Sequence, residues 1–382
     1  HHAAAAGAAM MRRGEKPALG LYIHIPFCKA KCAYCDFYSL AHSEEKMDAY
    51  TAALLRHLEE VAPRAAGMQV DTVYFGGGTP SYLGTARLIR ILQTVQRRYD
   101  VTRDAEITLE ANPDSAGDWR ALRRLRRAGF NRLSLGVQST DDELLRRIGR
   151  VHTCEQVQQA VTAARKAKLT NLSLDLIYGL PGQTMEDWQR TLADAVALGP
   201  EHLSCYGLKL EEGTPLYLRR EQETFPDDDQ QAEMYLSAVD TLAQHGYEQY
   251  EISNFAKPGF ASRHNLKYWH MDEYAGQLLL SESETEETLA RDFEYVMLSL
   301  RTAEGIDRAY FERTYRQRFA PLDALFRQYE TAGLAQPTEK GWRLTPRGFL
   351  VSNSIIVALE DALAAEKLRR QTAAASGDYR IV

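Results

Sequence analysis

Over the first two hundred residues, short apolar runs alternate with longer stretches of mixed polarity. The run Leu-Tyr-Ile-His-Ile at 21–25 reads as a strand, and Pro26 ends it because proline cannot donate to a sheet ladder. Comparable runs stand at 71–75, 106–109, 132–135, 172–177 and 202–208. The stretches between them read as helices at 43–61, 85–99, 118–128 and 185–198, with two more before residue 172. Ser43 is placed to cap the first helix, Glu44 and Glu45 favour its first turn, and Pro63 stops it. Six strands in alternation with helices predict a parallel sheet. The count is too small for eight repeats and fits an incomplete (β/α)6 barrel. Polar or glycine residues follow nearly every run, as in Gly76-Gly77-Gly78-Thr79-Pro80, Glu110-Ala111-Asn112-Pro113 and Gly136-Val137-Gln138-Ser139. They mark the carboxyl edge, where parallel barrels place their chemistry.

Past Pro215 the pattern changes. A helix is expected from the acidic stretch at 225–229 to about 245, a strand at 247–255, then Arg263-His264-Asn265-Leu266-Lys267-Tyr268-Trp269 and a helix over 281–300. The tail alternates helices with a strand at 341–345 before Pro346 and resembles a winged-helix module. The expected division is a tag or linker at 1–15, the partial barrel at 16–215, an extension at 216–290 and a C-terminal domain at 291–382. The opening HHAAAAGAAM reads as a tag remnant, with natural translation from Met10 or Met11.

Composition narrows the classes. A chain of 382 residues with 45% hydrophobic content can bury a large core, and a net charge of −6 argues against a general nucleic-acid binder. No apolar run approaches the roughly 20 residues of a membrane span. Five cysteines, three of them in one short loop, do not make a disulfide framework and fit a reducing cytoplasm. The arginines at 120, 123, 124, 126 and 127 spread round a helix and read as a solvated outer face.

The candidate chemistry begins at Cys28, Cys32 and Cys35, spaced C-x3-C-x2-C directly after the first strand. Three thiolates in one loop suit a soft metal centre. Zinc would want a fourth Cys or His at matching spacing, and none follows nearby. A [4Fe–4S] cluster on three cysteines leaves one iron open, and the bland alternative is three metal-free thiols. Cys154 and Cys205 read as inert core thiols.

The string Y-x-H-I-P-F-C-x3-C-x-Y-C-x-F resembles the radical S-adenosylmethionine superfamily, in its branch of oxygen-independent coproporphyrinogen oxidases and HemW-type heme chaperones. The resemblance implies a [4Fe–4S] cluster on Cys28, Cys32 and Cys35, with S-adenosylmethionine chelating the open iron. The oxidases continue C-x-C after the third ligand, where this chain has Phe37, as the chaperones do. By position, Tyr22, Gly77 and Glu110 match one S-adenosylmethionine site of the branch. Tyr34, Gly78, Thr79, Gln138, Arg150 and Asp175 match a second. Each of the polar residues alone reads equally as a cap or surface group; together they would converge on one barrel mouth.

His264, beside Tyr268 and Trp269, is a candidate axial ligand for heme at an open mouth; the alternative is a histidine that hydrogen-bonds the barrel and closes it. The family follows HN-x2-YW with G-x-G-A-H-S, whereas Glu273-Tyr274-Ala275-Gly276 passes directly to Gln277-Leu278-Leu279. Either the chain is shortened there or the numbering skips a loop, which would leave Gly276 and Gln277 unbonded. The expected function is a cytoplasmic heme chaperone that delivers heme to an acceptor, such as a membrane respiratory enzyme. The competing reading is an oxidase whose adenosyl radical abstracts hydrogen from coproporphyrinogen propionates, with release of CO2.

Overall fold

The computed structural model describes residues 16–35, 40–41, 46–270, 274–276 and 291–376. Its centre is a curved sheet of nine strands. We label them β1 (Ala18–Ile25), β2 (Gln69–Gly77), β3 (Asp100–Ala111), β4 (Arg132–Gln138), β5 (Leu172–Tyr178), β6 (His202–Gly207), β7 (Glu248–Gln249), β8 (Asn254–Ala256) and β9 (Tyr274–Gly276). The spatial order is β9-β1-β2-β3-β4-β5-β6-β8-β7. Seven strands from β9 to β6 are parallel, and β8 and β7 close the far edge antiparallel. All six expected βα strands are present, so the fold is the α/β partial barrel that the alternation predicts.

Two expectations are corrected. The single strand at 247–255 is two short strands, because the chain bends between them and Glu251 bridges to Thr302 instead. The strands are also not uniformly apolar. One face carries Leu21, Ile23, Val73, Phe75, Ile107, Leu109, Leu133, Leu135, Leu172 and Leu174, all buried against the helices. The other carries Tyr22, His24, Thr72, Tyr74, Glu106, Thr108, Glu110, Arg132, Ser134, Ser173 and Asp175, the alternate residues, which line the barrel interior. The barrel is thus oily outside its wall and polar within.

The crossover helices start where their caps dictate. Asp118 accepts the backbone N–H of Arg120 at 3.0 Å to begin Trp119–Ala128, and Thr153 with Gln156 forms a capping box for Cys154–Lys166. The helix expected from Ser43 runs over Met47–Val61; Ser43 and Phe37 lie outside the described residues. So does the expected break after Gly276, since Gln277 is not among them. Arginines 120, 124, 126 and 127 are exposed and Arg123 half-buried, a solvated outer face.

A second core follows the barrel. Helix Arg291–Ser299, strand Ile306–Asp307, helices Arg308–Tyr315 and Ala320–Thr331, and strands Ala335–Pro337 and Gly341–Leu344 succeed one another. The first strand pairs antiparallel with the last, which also pairs with Ala335–Pro337. That order and pairing are those of a winged helix. Phe319, Phe326 and Trp342 stack through it, with ring centroids 6.2 and 5.5 Å apart, and helix Ser352–Ser376 packs alongside. Among the described residues, no helix is long and apolar enough to cross a membrane.

Candidate functional site

The cysteine loop leaves β1 at Ile25 and is fastened at once to the glycine turn after β2. The Gly78 N–H donates to the Ile25 carbonyl at 2.9 Å and the Thr79 N–H to that of Phe27 at 2.6 Å. A Cβ on Gly78 would meet the Phe27 oxygen at 2.6 Å, so this approach requires glycine. Farther along, the Ala33 N–H donates to the Ile148 carbonyl at 3.0 Å, and the Ala33 carbonyl accepts from Leu216 at 2.8 Å. The loop is therefore clamped from three directions by backbone alone.

Beside it opens a cavity of about 610 Å³, walled by the three cysteines and the carboxyl ends of β2 to β6. Tyr34, Gly77, Gly78, Thr79, Glu110, Gln138, Arg150 and Asp175 all line it with Cys28, Cys32 and Cys35. Its size falls within the ~300–1,000 Å³ of small-molecule sites. Cys28 is buried, and Cys32 and Cys35 are half-buried. Among the described residues, no three Cys, His, Asp or Glu side chains converge on a point for a single metal ion. A cluster asks for a different arrangement, one thiolate on each of three irons, and three cysteines outside any disulfide on one clamped loop fit it.

Arg150 ties this wall together. Its Nη1 donates to Cys32 Sγ at 3.3 Å, and its Nη2 to Asn112 Oδ1 at 2.9 Å and the Gly136 carbonyl at 2.5 Å. Asn112 in turn donates to Thr79 Oγ1 at 3.0 Å. Burial alone would lower the Arg150 pKa, but Tyr34 and Cys32 beside it outweigh that and hold the guanidinium charged. Burial pushes the Tyr34 hydroxyl far up, against the pull of Arg150.

The carboxylates on the floor are raised. Burial lifts Glu110 to about 7, against the hydrogen bond that Tyr74 donates to its Oε1 at 2.8 Å. Burial lifts Asp175 to about 6, opposed by Arg132 and by hydrogen bonds from Ser204 and Ser134. Arg132, fully buried in the lumen, is the cation that keeps these acids tolerable. Such carboxylates can accept from ribose hydroxyls, and Gln138 and Arg150 can hold a carboxylate.

Tyr22 and His264 do not line this cavity. Tyr22 lies deeper in the lumen, its hydroxyl 3.0 Å from His24 Nδ1 and its ring 6.2 Å from that of Tyr74. His264 lies deeper still. Its Nδ1 is 2.8 Å from Thr72 Oγ1, its backbone N–H donates to Glu106 Oε1 at 3.2 Å, and its ring stacks on Tyr74 at 5.3 Å. Thr72 stands five residues before Gly77 on β2, about 16 Å along the strand at ~3.3 Å per residue. Helix Arg263–Trp269 therefore plugs the amino end of the barrel, opposite the cysteine loop. The expectation of an open mouth at His264 is corrected: the imidazole is 1% exposed, and burial with Lys267 and Arg132 nearby lowers its pKa to about 4. Cys154, expected in the core, is half-buried at a helix start, whereas Cys205 is fully buried and its thiol pushed far up.

Sequence reasoning missed Asn112, Arg132 and Tyr74. The signal was available, since Tyr74 and Arg132 stand on the polar phase of strands that alternate with period two, and Asn112 continues that phase one residue past the end of β3.

A radical SAM superfamily model matches residues 22–195, and a HemN C-terminal domain model matches 290–351. The chain is 41% identical over 261 residues to the heme chaperone HemW of Escherichia coli, covering 68% of each chain. It is 33% identical to the heme chaperone HemW of Bacillus subtilis, over 88% of this chain and 98% of that one. Among solved structures, the coproporphyrinogen III oxidase HemN of E. coli superposes with a TM-score of 0.75 at 26% identity, covering 90% of each chain. With its cysteine loop, its polar lumen and two thirds or more of these relatives matched, the chain belongs to the HemW heme-chaperone family of the radical SAM superfamily.

Proposed function

We propose that the protein binds heme and passes it to an acceptor, and that its barrel mouth holds a [4Fe–4S] cluster with S-adenosylmethionine. One observation carries the cofactor part: three cysteines outside any disulfide, on a clamped loop, border the same cavity as Gly77, Gly78, Thr79, Glu110, Gln138, Arg150 and Asp175. Cys28, Cys32 and Cys35 would hold the cluster, which when bound and reduced would supply the electron for reductive cleavage of the S-adenosylmethionine sulfonium. The chain's own residues orient that ligand. The glycine turn lets backbone groups approach it, Glu110 or Asp175 accepts from the ribose, and Gln138 or Arg150 meets the carboxylate. The cavity wall offers partners for one molecule or two.

The relatives' name, heme chaperone, supports the heme part. Ligation by His264 would require helix Arg263–Trp269 to leave the barrel and break its bonds to Thr72 and Glu106. A heme site outside the plug agrees better with this packing. The oxidase reading draws on the likeness to the coproporphyrinogen III oxidase HemN. Anaerobically reconstituted protein given hemin, and separately coproporphyrinogen III with S-adenosylmethionine and reductant, decides between the two. Hemin binding and transfer to apo-cytochrome without protoporphyrinogen formation is the expected result. Turnover to protoporphyrinogen would overturn the chaperone reading.

A further inference from the structure

Gln138 adopts φ +65, one of three described non-glycine residues in the left-handed region, and the only one of them that lines the cavity. Such a conformation costs on the order of 1–3 kcal/mol and persists only where its surroundings enforce it. The local geometry is a three-residue turn, in which the Ser139 N–H donates to the Val137 carbonyl at 2.8 Å. The β4–β5 register slips at the same place, between Leu135 and Gln138.

His152 contacts the same turn. Its Nε2 lies 2.9 Å from the same Val137 carbonyl, and the ring is 3% exposed. Facing a carbonyl, Nε2 must carry the proton and donate, while Nδ1 is buried without a partner. Burial and Arg150 lower the ring's pKa to about 4, against the Val137 hydrogen bond and Asp142, so the ring is neutral and this donor persists across the physiological range. The stretch that carries His152 also supplies Arg150 to Cys32 and the Ile148 carbonyl to Ala33.

We propose that His152 is a positioning residue: by holding the Val137 carbonyl it keeps the Gln138 turn, and so aims the Gln138 amide at the carboxylate end of an amino-acid nucleoside in the cavity. The inference rests on the cavity being the S-adenosylmethionine site. Cluster-loaded protein, titrated with S-adenosylmethionine by calorimetry, tests it with His152→Leu, which loses the donor, and His152→Gln, which keeps one. Gln138→Ala and the double variant His152→Leu/Gln138→Ala complete the cycle. Expected are about tenfold weaker binding in His152→Leu, as for one lost hydrogen bond, and recovery to within about twofold in His152→Gln. Cluster absorbance should be unchanged, and the double variant should be no weaker than Gln138→Ala. Wild-type affinity in His152→Leu, equal losses in His152→Leu and His152→Gln, or additive losses in the double variant would each overturn the proposal. No binding by wild-type protein would instead reject the cavity reading, and the proposal with it.

Discussion

Replacing Gly78 with alanine tests how tightly the glycine turn and the cysteine loop are joined. The added Cβ would lie 2.6 Å from the Phe27 oxygen, 3.0 Å from its carbonyl carbon and 3.2 Å from its nitrogen. All three are backbone atoms, so no side chain can swing aside. Relief to an ordinary contact near 3.4 Å requires the two segments to part by about 0.8 Å. That shift strains the two hydrogen bonds that join them, from Gly78 to Ile25 and from Thr79 to Phe27. Two weakened bonds at about 1 kcal/mol each, with overpacking of roughly 1–3 kcal/mol, give an expected loss of about 3–5 kcal/mol. The same shift moves Cys28 relative to the glycine backbone, so S-adenosylmethionine affinity should fall tenfold or more. Denaturant unfolding of the cluster-free protein measures the first effect and calorimetry on the loaded protein the second. Gly117→Ala is the control: like Gly78 it carries no positive φ, and a Cβ there meets nothing within 4 Å, so it reports the glycine-to-alanine change without the clash. If Gly78→Ala loses no more stability than Gly117→Ala and keeps its affinity, the clamp is not the constraint described here.

Three further outcomes are expected. Cys28→Ala, Cys32→Ala or Cys35→Ala should abolish the reconstituted cluster while Cys154→Ala and Cys205→Ala retain it; normal iron and sulfide in Cys32→Ala would reject the ligand set. His264→Ala should cost about 2–4 kcal/mol through a cavity in the barrel plug and leave the Soret band of bound hemin where it was; a shifted band would restore His264 as ligand. Burial raises Glu251 from 4.5 to about 7, against hydrogen bonds from Ser253 and Asn254. Its favourable contribution is therefore present below about pH 4.5 and lost as pH rises through 7, worth at most about 3.5 kcal/mol at roughly 1.4 kcal/mol per pH unit. Glu251→Gln should flatten that part of the stability profile between pH 5 and 8, and an unchanged difference from wild type across the range would refute the assignment.

Much of the barrel was legible because strand ends announce themselves. Pro26, the glycines at 76–78, Asn112-Pro113 and Gly136 each stop an apolar run, and each stands at the cavity rim or just beyond it. The cysteine spacing was legible for the same reason, as dense chemistry on a loop. What stayed hidden was depth. Tyr22 and Glu110 are both inward residues near strand ends, yet one faces the lumen and the other the cavity, and sequence spacing does not distinguish those layers. His264 was misplaced because a short helix carrying aromatic residues can cover a mouth or plug a floor. Ser262 caps that helix and Glu106 receives the N–H groups of Arg263 and His264, and only these contacts show that it enters from the amino side.

The two edges of the sheet differ in a way that bears on access to the cavity. At the far edge, β8 pairs antiparallel with β6, and the nearby Glu251–Thr302 bridge continues into the second core, so the wall is backed. At the near edge, β9 pairs only with Gly20, Leu21 and Tyr22 of β1. Among the described residues, His24 and Ile25 thus have a strand partner on the β2 side alone. Those residues run directly into Phe27 and Cys28, which are held from two directions: the glycine turn donates to Ile25 and Phe27, and Phe27 and Cys28 pair in parallel with Leu40 and Ala41. On the backed side Tyr206, Lys209 and Glu211 stand at and beyond the end of β6 and line the cavity, so its polar groups there come from a wall that the second core supports.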